Sequence, residues 1–394
     1  MDTIQAILSS MMREAISPQT AAVAIAAIGL NVHFGFTGLL NIGQSGFMLL
    51  GAYGFAISIG HDLPLIAGLL IGFGAAFVFA LVLGAPTLKL RGDYLAIVTI
   101  SAAEIIRYVG RSALLTDFTG AAQGLQGVTY RDPFTNLSFF GGGTTTLSPF
   151  NYADVAGGAV WVRLLGWLLV AACITGIVVL VRGAQRSPAV RYAGIGLLGA
   201  VTVFLLFFLA PANYQNTGVS GWWVRFAAWL LVGISALVVF LLVRSPWGRL
   251  LRGIREDEDA IRSLGKNVFA IKMQALVIGG LFGAIGGMMY VLPATVQPDS
   301  MGRNITFFAY TALLLGGAAT IWGPVLGSLI FFVGRIAIIA IANTYLSSDQ
   351  YLNIMSGQQT SQFAFIVVGV SLMLLVIFRP QGILGDMREL RFNV

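Results

Sequence analysis

The chain is 394 residues long, 57% hydrophobic and only 10% charged, with 49 glycines. Soluble domains carry about 25% charged residues, so this composition excludes an ordinary soluble enzyme and predicts an all-α polytopic membrane protein, whose apolar runs are too long and continuous for barrel strands. The net charge of +7 calls for no nucleic acid, because many of the bases fall at the ends of predicted spans, where orientation and anionic membrane lipid account for them.

At the start of the chain, Met1–Ser17 sets Ile4, Ile7, Leu8 and Met11 at helical spacing. This predicts an amphipathic helix over residues 1–18 lying in the membrane interface and ended by Pro18, rather than a cleaved signal peptide. Residues 19–394 then read as one transmembrane domain, with its first crossing at Gln19–Phe36.

The stretch from 29 to 54 reads GLNVHFGFTGLLNIGQSGFMLLGAYG. Glycines recur through it, Gly43 and Gly46 among them, and Asn31, His33, Thr37, Asn41, Gln44 and Ser45 put polar groups at membrane depth. Such groups are costly unless they face a partner or a wet cavity, and glycine-interrupted apolar segments are where membrane helices break and expose backbone to a substrate. These residues are candidates for the substrate pathway. For any one of them, close helix packing through small residues is the competing explanation.

Crossings are next expected at Leu63–Leu83, with Gly68 and Gly72 as a GxxxG face, and at Tyr94–Gly110. The second carries Glu104 and Arg107 on one helical face. Glu104 is a further pathway candidate, with a structural ion pair as the alternative. Residues 111–160 hold no apolar run of membrane length and few bases, which predicts an outer loop; its aromatics Phe134, Phe139, Phe140, Phe150 and Tyr152 argue that part of it packs. Further crossings follow at Trp161–Val181, Gly194–Ala210 and Trp222–Val243.

Residues 244–272 interrupt the pattern with Arg249, Arg252, Arg255, Arg262, Lys266 and Lys272 and the acidic run Glu256–Asp259. A loop this basic should face the cytoplasm. Asp257 can cap a short helix, Glu258 and Asp259 suit its positive end, and Gly265 can terminate it in the left-handed conformation. Ala260, Ile261 and Leu264 share one apolar face inside a charged rim that includes Arg255 and Arg262. Such a helix suits docking into a groove of a soluble partner, although a solvated loop explains the charge equally well.

The remaining crossings are Met273–Leu292, with a doubled GxxxG face, Ile305–Ile321, Pro324–Ala342 and Phe363–Phe378; GGAATIWGPVLG at 316–327 marks a break. Broken or re-entrant helices are expected at the second span, in the glycine-rich stretch 29–54, and at Ile305–Ile321, which gives about nine to eleven crossings. The alternation places the N-terminus outside and the basic C-terminal tail in the cytoplasm. Cys173 is alone and His33 and His61 are far apart, so no metal site, catalytic set or cofactor is expected. The chain holds no GxxxxGK[ST] phosphate loop.

LNIGQSGFMLLGAYG, GDYLAIVTISAAEIIR and TGAAQGLQGV, followed in order by SPWGRLLRGIREDEDAIRSLGKNVFAIKMQALVIGGLFGAIGGMMY, GGAATIWGPVLG and FRPQGILG, resemble the successive motifs of branched-chain amino acid ABC importer permeases. The similarity covers about residues 20–130 and 240–387 and is closest to the M-type subunit. TGAAQG stands at 119–124 where that family usually has TGG and then Pro-Asn-Gly, and residues 155–220 add two spans. The resemblance implies one of two permease subunits in a bacterial inner membrane importer, paired with an H-type partner. It implies two cytoplasmic ATPase subunits docked on a coupling helix at Asp257–Leu264, and an external binding protein that delivers substrate. Branched-chain amino acids are the implied cargo; urea, short-chain amides and other amino acids are carried by similar permeases.

Two other classes are weighed by the residues themselves. An ion-coupled secondary transporter would favour acids near the midplane, and Glu104 is the acid that lies well inside a predicted span. A membrane enzyme would need clustered acids, bases or metal ligands, and the sequence offers none.

Overall fold

The computed structural model describes residues 2–89, 92–139, 143–147, 160–182, 198–199, 201–202, 205, 212–216, 218–346, 356–378 and 381–385. The expected crossing at Gly194–Ala210 falls mostly outside the described residues, as do Phe140, Phe150 and Tyr152.

The helices are α1 (Asp2–Ala15), α2 (Pro18–Leu30), α3 (Gln44–Gly60), α4 (Leu65–Thr87), α5 (Gly92–Arg111), α6 (Val160–Arg182) and α7 (Trp222–Arg244). They continue with α8 (Pro246–Glu256), α9 (Glu258–Ser263), α10 (Val268–Val291), α11 (Arg303–Gly316), α12 (Gly323–Tyr345) and α13 (Gly357–Phe378). Among the described residues, five stretches are long and apolar enough to cross a membrane: Pro18–Phe36, Leu65–Thr87, Trp222–Arg244, Val268–Val291 and Gly323–Tyr345. An antiparallel ribbon, β1 (Thr144–Leu147) with β2 (Ala212–Gln215), ties the long loop to the segment before α7.

The core is built on α2. Its sequence, PQTAAVAIAAIGL, is rich in alanine, and almost every residue is buried. Small side chains let backbones approach closely, which is how membrane helices associate without a hydrophobic driving force. α10 lies along α2 and α3, while α7, α11 and α12 close around α2. The doubled GxxxG face of α10 makes this contact: Gly279 faces Gly29 and His33, Gly283 faces Gln44, and Gly287 faces the Met48 carbonyl. On α4, Gly72 meets Gly51 of α3.

Contacts sort the helix ends into two groups. At one end, Arg225 at the start of α7 donates to the Arg13 and Ile16 carbonyls after α1, at 3.3 and 3.2 Å. Arg107 near the end of α5 meets Asp299 beyond α10, and His61 after α3 stacks on Phe118. At the other end, Arg255 of α8 reaches Gly35, and Ile383 and Leu384 pair with the Leu315 and Gly316 carbonyls that close α11. The charged block and the segment 381–385 therefore share one end of the bundle.

One expectation is corrected. Residues 244–272 are not one loop around one helix: α8 and α9 fill most of them, and α10 begins at Val268, so Lys272 sits on a membrane helix. The break expected in the stretch 29–54 falls at residues 38–43, and α3, which follows it, is continuous. The break after α11 is present. That helix is only 14 residues long, about 21 Å at helical rise, short of a ~30 Å hydrocarbon core.

Candidate functional site

The first candidate region is the break between α2 and α3. After Leu30 the helix widens into a π turn over Asn31–Phe36, a form that concentrates at functional sites. Gly38, at φ +75°, ends it in the left-handed region, which glycine adopts without steric cost.

The polar residues here are buried to within 3% exposure, and the side chains of Asn31, His33, Thr37, Asn41 and Gln44 hydrogen-bond to one another or to backbone. Asn41 is central. Its Oδ1 accepts from the Gly43 amide at 2.9 Å, and its Nδ2 lies 3.1 Å from both Gln44 Oε1 and His33 Nδ1. His33 Nε2 faces the Leu276 carbonyl at 3.0 Å. A carbonyl only accepts, so the proton is on Nε2 and the bare Nδ1 accepts from Asn41. Gln44 Nε2 donates to the Gly279 carbonyl at 3.1 Å, and Thr37 Oγ1 donates to the Val32 carbonyl at 2.8 Å. The Ser45 amide donates to Thr306 Oγ1 at 2.8 Å.

Asn31 clamps the second break. Its Oδ1 accepts from the Ala319 amide at 2.8 Å and its Nδ2 donates to the Thr320 carbonyl at 2.6 Å. The two irregular segments are thus bound to each other.

Sequence reasoning missed three members of this network. The Ile42 amide donates to Thr99 Oγ1 at 3.0 Å, and the Tyr310 hydroxyl donates to the Asn41 carbonyl at 2.8 Å. Thr306 and Tyr310 stand four apart on α11, a same-face spacing that could have flagged them.

Glu104 takes a different partner. It accepts from Arg107 Nε at 2.8 Å, and Arg107 also meets Asp299 at 2.5 Å. The ion pair of the second weighed reading is present. Gly43 and Gly46 face α5: a side chain on Gly43 would meet the Thr99 carbonyl, and one on Gly46 would lie 3.1 Å from Ala103 Cα.

The end of the bundle away from the charged block is plugged by the loop after α5. Leu125 and Val296 exchange backbone hydrogen bonds at 3.0 and 3.1 Å. The Tyr130 hydroxyl lies 2.9 and 3.0 Å from the Val291 and Ala294 carbonyls, and burial pushes its pKa up to about 12. Phe134 and Phe139 pack on Trp223, as the aromatic content of the loop suggested.

The second candidate region is the arm formed by α8 and α9. Asp257 breaks the helix with an extended backbone, and its side chain accepts from the Ala260 amide at 3.0 Å. Glu258 and Asp259 occupy the first turn, and Gly265 follows at φ +74°. Arg262 bonds Glu258 at 2.9 Å and Asp259 at 3.0 Å, and Lys272 pairs with Glu258.

The apolar face expected of α9 divides. Ile261 turns inward against Gly253 and seats α9 on α8, whereas Ala260 is exposed and Leu264 is 72% exposed. Arg255 does not belong to α9. It lies on α8, and its guanidinium donates to the Gly35 carbonyl inside the π turn at 2.5 Å. The α8 face of Gly248, Leu251 and Ile254 is buried against the bundle.

Residues 12–377 match the family described as branched-chain amino acid transport system / permease component. The chain is 27% identical over 377 residues to the high-affinity branched-chain amino acid transport system permease protein LivM of Escherichia coli K12, covering 94% of this chain and 69% of that one. It is 28% identical over 378 residues, with the same coverage, to LivM of Salmonella typhimurium. To the LivH permease protein of E. coli K12 it is 28% identical over 250 residues, covering 56% of this chain and 76% of that one. No solved structure matches the chain. Matched along almost its whole length, the chain is an integral membrane transport subunit that belongs to the branched-chain amino acid transport system permease family.

Proposed function

We propose that this protein is one of two permease subunits of an ATP-driven, binding-protein-dependent importer of branched-chain amino acids in a bacterial inner membrane. The observation that carries the reading is the arm: a short capped helix with an exposed Leu264, joined through α8 and Arg255 to the π turn of the α2–α3 break. Two cytoplasmic ATPase subunits would dock on α9 and its counterpart in an H-type partner. Their closure would push α8 against Gly35 and shift the two clamped breaks between outward-facing and inward-facing arrangements. The end carrying α9 and residues 381–385 faces the cytoplasm in this reading, residues 111–160 face the external binding protein, and residues 1–18 lie in the outer interface.

Asn31, His33, Asn41, Gln44 and Ser45 act by holding the breaks in shape, and Gly43 and Gly46 by admitting α5. Substrate passes along the surface these segments support, with the second permease as the opposite wall.

The test is uptake of labelled leucine, isoleucine and valine in cells or vesicles carrying the full set of subunits. Uptake that requires ATP and ceases on loss of the ATPase supports the proposal. Uptake that survives that loss and collapses with the proton or sodium gradient overturns it in favour of an ion-coupled carrier.

A further inference from the structure

Between the end of α4 and the corner of α9 and α10 lies an open cavity of about 780 Å³. Its walls carry Lys89, Arg262, Lys266 and Lys272 against Glu258 and Asp259. Both acids are committed, Glu258 to Lys272 and Arg262, and Asp259 to Arg262. Lys89 and Lys266 form no ion pair among the described residues. The Lys89 ammonium lies 5.8 Å from the Phe269 ring centre, at the cavity wall. Asn267, also in the wall, caps the 24-residue α10 by accepting from the Ala270 amide at 3.1 Å. The positive end of that helix therefore adds to the lysine field. The cavity has an uncompensated excess of positive charge and ample room for a phosphate group.

Its position selects the anion. α4 presents a bare apolar flank, Ile66, Leu70, Val78 and Val82, that runs down to this end. In a membrane such a flank faces acyl chains, so a basic cavity where it stops lies at headgroup level. We propose that the cavity binds the phosphate headgroup of an anionic phospholipid, with Lys89 and Lys266 supplying the charge, as basic pockets between membrane helices do. This rests on the reading that the α9 end faces the cytoplasm. Because α9 forms one wall, a bound headgroup braces the docking helix from its membrane side.

The full-length chain, purified in neutral detergent, is offered phosphatidylglycerol and phosphatidylcholine with identical acyl chains, and retained lipid is counted by native mass spectrometry. Phosphatidylglycerol is retained in preference. Lys89→Gln with Lys266→Gln lowers that preference about tenfold or more, since each lysine near an anionic headgroup contributes roughly fivefold. Arg244→Gln with Arg249→Gln removes the same charge from exposed positions outside the cavity and leaves the preference intact. An equal loss in both double variants, or no loss in the lysine pair, overturns the site. Full displacement by millimolar inorganic phosphate reassigns it to a free anion and overturns the lipid. Absence of any preference, with Lys89 and Lys266 shielded from amine labelling only when ATPase is docked, reassigns it to an acidic protein segment and also overturns the lipid. The lipid-binding assay needs neither ATPase nor transported substrate, so its failure leaves the transport reading standing.

Discussion

Arg255 and Gly35 join the charged arm to the membrane core: the guanidinium of one, on α8, donates to the carbonyl of the other in the π turn at 2.5 Å. Arg252 adds a second link, its guanidinium 5.9 Å from the Phe36 ring centre. Force applied to α8 therefore reaches an irregular turn rather than the side of a rigid helix. A hydrogen bond to a charged group contributes about 1.5–3 kcal/mol, so Arg255→Met is expected to lower ATP-coupled uptake about tenfold or more. The docked ATPase should continue to hydrolyse ATP in this variant. Parallel loss of hydrolysis and uptake would instead make Arg255 a docking residue.

Leu264 and Ala260 are the exposed apolar positions of α9, and neither supports the fold of the bundle. An acid at either position leaves insertion and thermal stability unchanged but puts a charge into the docking groove. Leu264→Asp is expected to abolish transport and co-purification of the ATPase, with Ala260→Asp close behind. Ile261→Asp should differ from both, because Ile261 seats α9 on α8 at Gly253; it should loosen the arm as well, read as faster proteolysis near Asp257. Normal ATP-coupled uptake by Leu264→Asp would remove α9 from the interface.

Much of this was legible in the chain because the chemistry is local. A cap at Asp257, a left-handed Gly265 and a GxxxG face on α10 each depend on a few neighbouring residues, and each forms as read. What could not be read is pairing across distance. Nothing near Asn31 announces the turn at Ala319, 288 residues away, and nothing near Arg107 announces Asp299. The polar groups of the α2–α3 break suggested a wet pathway; in this structure His33, Asn41 and Gln44 bond one another, and Asn31 and Thr37 bond backbone. Composition shows that a polar group must find a partner at membrane depth; it does not distinguish a substrate or water from a side chain of another helix.

Arg107 stands between two acids, Glu104 and Asp299, with its own side chain 17% exposed. Removing the arginine leaves both carboxylates without this partner; among the described residues Arg111, 3.5 Å from Asp299, remains to compensate. Removing either acid leaves Arg107 with the other. Arg107→Met is therefore expected to lower the thermal midpoint more than Glu104→Gln or Asp299→Asn, with partial recovery when Arg107→Met is combined with Glu104→Gln. If Glu104 instead serves ion coupling, Glu104→Gln alone would abolish uptake without a stability change.

Gly43 and Gly46 separate a packing role from a lining role. A side chain on Gly43 meets the Thr99 carbonyl, which is backbone and cannot move aside, whereas one on Gly46 meets Ala103 and the edge of the Phe79 ring. Overpacking of this kind costs about 1–3 kcal/mol. Gly43→Ala is expected to lower the thermal midpoint clearly and Gly46→Ala to lower it less. Native stability for Gly43→Ala, with reduced uptake, would return Gly43 to the pathway wall.

The TGAAQG stretch at 119–124 offers a gain rather than a loss. Gly120 and Gly124 sit at φ +71° and +74°, and between them Ala121 holds φ +49°. A left-handed backbone costs a residue with a Cβ about 1–2 kcal/mol, and glycine avoids that cost. The segment matters because Gly124 packs on the Val296 carbonyl and Leu125 pairs with Val296, closing one end of the bundle between α5 and α10. Ala121→Gly is expected to stabilise the folded protein by about 1 kcal/mol, part of which is offset by the greater freedom of glycine in the unfolded chain. The gain should appear as a higher thermal midpoint and slower hydrogen exchange at the Leu125 amide. A lower midpoint would mean that the Ala121 side chain contributes more by its contacts than its backbone conformation costs.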